Sequence, residues 1–151
     1  RRRSGARDGA LAHTGGSERG KRASEGAFQR GELPVKPSRV RLILTTFPAK
    51  EEEKARAAAR DLIRDRLAAC VWVLPPMFSV YFWEGKIVED VELLMVIKTD
   101  SRHCAKVVSA LKTRHPYSVP EIVTLKPEDV NADYERWLVG YLSGGQAAEV
   151  R

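Results

Sequence analysis

Between Met77 and Thr99, apolar and polar side chains alternate with a period of two on both sides of a short glycine-containing link. Phe78, Val80 and Phe82 fall on one face of an extended chain, with Ser79, Tyr81 and Trp83 on the other. Beyond Glu84-Gly85, one parity carries Ile87, Val91, Leu93, Met95 and Ile97, interrupted only by Glu89. This pattern predicts a β-hairpin. No Pro or Gly lies between Ile87 and Thr99, so the second arm can run about 43 Å at roughly 3.3 Å per residue. Ordinary strands stop at about five or six residues. A hairpin that outgrows its own domain leaves unpaired backbone groups at its edges, and these need a cover. An oligomer is therefore expected before any chemistry is considered.

The flanking pattern completes an α+β order. Val40 to Phe47 reads as a strand, with Val40, Leu42 and Leu44 on one face and Ile43 on the other. Pro48 ends it and suits the first turn of a helix whose apolar face is Ala55, Ala59, Leu62 and Ile63. Glu51 to Glu53 near its start, and Arg60, Arg64 and Arg66 near its end, complement the helix dipole. Cys70 to Leu74 reads as a strand interrupted by Pro75-Pro76, which cannot donate to a ladder. After the hairpin, Ser101 is placed to cap a second helix with Cys104, Val107, Val108 and Leu111 on its face, stopped at His115-Pro116. A short strand follows at Glu121 to Leu125. A closing helix from about Ala132 carries Tyr134, Trp137, Leu138 and Tyr141 and ends at Gly144-Gly145. Strand, helix, strand, strand, helix, strand and closing helix is the split βαβ, or ferredoxin-like, plan: a four-stranded antiparallel sheet with two helices on one face.

Composition changes this picture mainly at the ends. Residues 1–38 are glycine-rich and hold nine Lys/Arg against four Asp/Glu, whereas residues 39–151 hold seventeen against sixteen. Of the formal charge of +6, +5 thus belongs to the leader and +1 to the domain, and electrostatics give the domain no reason to bind nucleic acid. Residues 1–38 are expected to be a disordered basic leader, because they bury too little apolar surface to offset ordering. Residues 39–143 are expected to form the domain, and residues 144–151 a short tail. No apolar run approaches the ~18 residues of a membrane span. No apolar stretch follows Arg1-Arg2-Arg3 as a secretory signal requires, so a cytoplasmic location without membrane partners is expected. The two cysteines, Cys70 and Cys104, match no zinc-ribbon or CxxC spacing and read as reduced thiols.

Several segments then form a recognisable set: Leu67-Ala68-Ala69-Cys70, Tyr81-Phe82-Trp83-Glu84-Gly85-Lys86-Ile87, Ile97-Lys98-Thr99, His115-Pro116-Tyr117 and Pro120-Glu121-Ile122. Together, in order and over about Val40 to Leu142, they resemble the CutA divalent-cation tolerance family. The resemblance implies a ferredoxin-like homotrimer whose long hairpins pack around a threefold axis. It also implies a role in divalent-cation tolerance or response, with copper binding, stress tolerance and signalling like that of the PII proteins all proposed for the family. The chain departs from family patterns at three positions. Thr45 stands where some bacterial members carry a cysteine implicated in copper binding, Trp72 where an asparagine is common, and Ser118 where a glutamate is common. These departures weigh on metal ligation rather than on the fold.

The candidate chemistry is sparse. Cys70 and His115 are the candidate copper ligands, since thiolate and imidazole suit copper. The plainer reading makes Cys70 a small buried side chain and His115 a hydrogen-bond donor beside its proline. His103 lies next to Cys104, but neighbours on a helix point apart. Trp83, Glu84, Lys86, Lys98, Tyr117 and Glu121, with Trp137 of the closing helix, mix aromatic and charged groups as a subunit-interface cleft for a ligand would; an ordinary interface has the same composition. No nucleophile with an oriented base and no phosphate loop is recognised, so a binding module is expected rather than an enzyme. An enzyme working in the interface cleft and a PII-like small-molecule regulator are the alternatives. An RNA-binding domain shares the strand order, but Leu93 to Ile97 lacks the basic-Gly-aromatic run it requires.

Overall fold

A computed structural model describes residues 37–145. The expected leader at 1–38 and tail at 144–151 lie almost wholly outside the described residues. Strand β1 spans Val40–Pro48, helix α1 Glu52–Arg64, β2 Cys70–Val73, β3 Met77–Trp83, β4 Lys86–Asp100, α2 Cys104–Arg114, β5 Val123–Leu125 and α3 Ala132–Leu142. The sheet order is β2-β4-β1-β5, with β3 also paired to β4 and every pairing antiparallel. Five strands appear where four are expected, because Pro75-Pro76 splits one of them. Both halves pair with β4, so the ferredoxin-like plan holds.

Helices α1 and α2 cover one face of the sheet. The register Ile43↔Ile97, Thr45↔Met95 and Phe47↔Leu93 aligns these side chains on that face. There Ile43, Leu62, Ile97, Val107 and Leu111 form one buried cluster, while Phe47, Ala55, Ala58, Leu93 and Met95 form another. Alanines on α1 let the helix approach the sheet closely. On the opposite face, Val40 packs with Leu138, Val139 and Leu142 of α3. Helix α3 is tied back to the end of α1: the Tyr141 hydroxyl donates to the Ile63 carbonyl (2.7 Å), and Arg66 Nη1 donates to the Tyr141 carbonyl (2.6 Å). The closing helix thus covers the sheet of its own chain.

Local differences from the sequence pattern have physical causes. A 3-10 turn at Ala49–Glu51 precedes α1. Asp100, rather than Ser101, caps the entry to α2: its Oδ1 accepts the N–H groups of Arg102 and His103 at 3.0 Å each. A buried carboxylate is a stronger acceptor than a hydroxyl, and the helix dipole favours it there. Strand β5 is shorter than expected, since only Val123–Leu125 meet Leu42–Leu44 of β1. Glu121 is left outside the ladder and free for another role. Asn131 caps α3 by accepting from the N–H groups of Asp133 and Tyr134.

The hairpin behaves as its pattern predicts. Trp83 pairs with Lys86, so Glu84 and Gly85 are the two turn residues, at φ 46° and 83°. Two consecutive left-handed residues match the twist of the strands they join. At 15 residues, β4 outruns the helices. Beyond their reach, the face they cover elsewhere is bare: Phe78, Val80, Phe82, Ile87 and Val91 are all more than half exposed.

Candidate functional site: a cavity at the root of the hairpin

On the other face of the hairpin, the pairs Met77↔Glu92, Ser79↔Asp90 and Trp83↔Lys86 align Met77, Ser79, Tyr81 and Trp83 with Glu92 and Asp90. The segment following α2 crosses to this face and brings Tyr117, Ser118 and Glu121 opposite them. Between the two lies a cavity of about 620 Å³, which Thr46 also lines.

Its geometry rests on a relay from the core. His115 Nε2 donates to the Thr46 carbonyl (2.6 Å), and its Nδ1 accepts from the Tyr117 N–H (3.1 Å). A carbonyl can only accept, so the ring is the Nε2–H tautomer with both nitrogens occupied. Burial pushes its pKa below the usual 6.5, against opposing pulls from the Thr46 carbonyl, Glu92 and Glu51. The ring sits between Phe47 (centroids 4.4 Å) and Tyr117 (5.4 Å). Tyr117 in turn donates its hydroxyl to Glu92 Oε1 (3.1 Å). Burial, and then the Glu92 charge, push the Tyr117 pKa far above the ordinary phenol value, so it remains a donor. Glu92 is only 6% exposed. Tyr81 donates to Asp90 Oδ2 (2.7 Å), which raises its own pKa.

The residues singled out from the sequence are divided among three places. Trp83, Tyr117 and Glu121 line the cavity. Glu84 and Lys86 sit at the exposed hairpin tip, where Glu84 serves the turn. Lys98 and Trp137 lie elsewhere: the Lys98 ammonium is 3.2 Å from the Trp72 ring centroid, and Trp137 packs against Tyr134 in the α3 cluster. Cys70 pairs with Lys98, whereas Thr46, which holds His115, pairs with Leu94. Four positions along β4 separate the two, roughly 13 Å. Cys70 and His115 therefore do not share a site within one chain. Among the described residues, no three His, Cys, Asp or Glu side chains gather to hold a metal ion. Thr45 is fully buried on the helix-covered face, away from the cavity. Glu92 and Tyr81 are cavity residues that pattern reading passed over. The available signal was Glu92 itself, a carboxylate inside the apolar run Val91 to Ile97, where a charge has to face a partner or a cavity.

A split βαβ sheet, two helices on one face, and a hairpin overrunning them above a cavity define the class: an extended-hairpin, ferredoxin-like domain. The family model for "CutA1 divalent ion tolerance protein" matches residues 41–140. The divalent-cation tolerance protein CutA of Thermus thermophilus is 44% identical over 97 residues, 64% of this chain and 92% of that protein. Its Escherichia coli counterpart is 33% identical over 106 residues, 70% and 95% of the two chains. Among solved structures, CutA from Xylella fastidiosa superposes with a TM-score of 0.66 at 34% identity, covering 70% of this chain and 99% of that one. CutA1 from Oryza sativa gives 0.65 at 32%, covering 74% and 98%. The chain belongs to the CutA family of divalent-cation tolerance proteins.

Proposed function

We propose that the chain acts as a homotrimeric small-ligand-binding module in the response to divalent cations, with its ligand in the cavity at the hairpin root. The observation that carries the reading is the bare apolar face of the hairpin, on the side opposite that cavity. Phe82 and Ile87, at 71% and 73% exposure, oppose one another across the two strands with no helix over them. A contiguous apolar patch of this kind marks an interaction surface. Three copies follow from the resemblance, in which long hairpins pack around a threefold axis.

Binding is favoured over catalysis by the cavity's own groups. Tyr117 is held protonated and His115 is locked between two backbone partners, so neither is poised to move a proton. Copper ligation by Cys70 and His115 fits poorly: the donors lie far apart along β4, both imidazole nitrogens are engaged, and bringing the pair together would take two chains. A response to cations through a bound small molecule needs no such convergence, and a PII-like regulatory role would take this form. Two free cysteines suit a reducing, cytoplasmic setting. The near-neutral domain gives no electrostatic footprint for nucleic acid.

Sedimentation equilibrium of the full chain should give three times the 16.9 kDa monomer mass. A monomer at micromolar concentration would overturn the assembly.

A further inference from the structure

The cavity at the hairpin root has a charge imbalance that identifies its ligand class. Two of its lining side chains, Glu92 and Glu121, are carboxylates, and among the described residues none is Lys, Arg or His. A third carboxylate, Asp90, lies behind Tyr81 and is hydrogen-bonded to it. Glu92 is 94% buried, taking its 6% exposure, yet its hydrogen-bond partner is the neutral Tyr117 hydroxyl. No Lys, Arg or His lies within ion-pair distance of it among the described residues. The basic side chains of the region are committed elsewhere. Lys86 is at the tip, His115 is a neutral donor to the Thr46 carbonyl, and Lys98 stands over Trp72. Six positions of β4 separate Lys98 from Glu92, roughly 20 Å. A buried carboxylate is costly without a countercharge, and here the open side of that carboxylate is the cavity.

The rest of the lining says what kind of cation belongs there. Tyr81, Trp83 and Tyr117 present aromatic surface, and Met77 and Val119 present aliphatic surface. Electron-rich ring faces attract organic cations and add to a carboxylate. A volume of about 620 Å³ is in the range of small-molecule sites, roughly 300–1,000 Å³. A hard divalent metal would instead want about six or more oxygen ligands at close range, and mostly apolar walls do not supply them. We propose that the cavity takes a small organic ammonium ion, an amine carrying apolar substituents, with Glu92 as its counter-ion and Tyr81, Trp83 and Tyr117 as its walls. This inference rests on the ligand-binding reading above and names its ligand class.

Three probes of nearly one shape and different charge test it on the full chain: choline, the neutral 3,3-dimethylbutan-1-ol and the anionic 3,3-dimethylbutanoate. Binding is followed by tryptophan fluorescence and by chemical-shift changes at Tyr117 and Ser118. Choline should saturate the site at least tenfold more tightly than the alcohol, and the anion should bind weakest. Glu92→Gln keeps the size and an acceptor for Tyr117, and it should reduce the choline-to-alcohol ratio to about one. Equal binding of choline and alcohol to the wild type, or a preference for the anion, would overturn the ammonium assignment and leave the ligand-binding reading standing. If no probe binds at millimolar concentration, both fail. The wild-type comparison decides the matter even if Glu92→Gln does not fold.

Discussion

Two residues show how burial turns a side chain's chemistry into stability. Thr45 is fully buried beneath the helices, and its hydroxyl has no hydrogen-bond partner among the described residues. An unsatisfied buried hydroxyl costs about 1–3 kcal/mol. Thr45→Val keeps the shape and removes the polar atom, so it should raise unfolding stability by about 1 kcal/mol, read as a higher urea midpoint with an unchanged slope. A loss of stability would show that the hydroxyl has found an acceptor. His115 makes the opposite case, because its polar atoms are all used. Burial lowers its pKa from 6.5, so below that value the unfolded chain binds the proton more readily than the folded one. The resulting stability is complete above pH 6.5 and declines as pH falls through the lower folded value. His115→Gln should flatten that part of the stability–pH profile relative to wild type. Identical slopes for the two proteins would refute the assignment.

At the scale of elements, the hairpin does two jobs with its two faces. One face lines the cavity through Met77, Ser79, Tyr81 and Trp83; the other displays Phe78, Val80 and Phe82 to the outside. Period-two geometry makes this separation automatic, since neighbouring residues point to opposite sides. Burying a large apolar side chain is worth about 1.5–3 kcal/mol, so the bare face is where assembly should be most sensitive. Phe82 and Ile87 are directly paired. Replacing them together, Phe82→Lys with Ile87→Glu, puts opposite charges across the strands, a pair that supports a hairpin, while removing the apolar surface. The variant should keep its circular dichroism and sediment as a monomer of about the 16.9 kDa chain mass. A variant that stays trimeric would place the interface elsewhere.

At the scale of the molecule, each level of structure was legible to the extent that its cause is local. The hairpin, its long second arm, the helices and the strand order follow from hydrophobic period and from proline and glycine positions, all properties of adjacent residues. Pro75-Pro76 even marks where the edge strand divides. The candidate site was legible only in part. Trp83, Tyr117 and Glu121 were singled out and do meet, but Lys98 and Trp137 were singled out with them and sit against Trp72 and Tyr134 instead. Composition says that a group is aromatic or charged; which face of which strand carries it depends on register, and one position moves it to the other side of the sheet. Local pattern is enough for the sheet, its helices and the overrunning hairpin, because burying apolar faces at periods of 2 and 3.6 residues has few solutions. Packing between distant segments commits His115 to holding Tyr117 and turns Glu92 toward the cavity. Those outcomes depend on contacts across 69 and 25 residues of chain, where distance and partner are fixed by packing rather than by anything a neighbouring residue can specify.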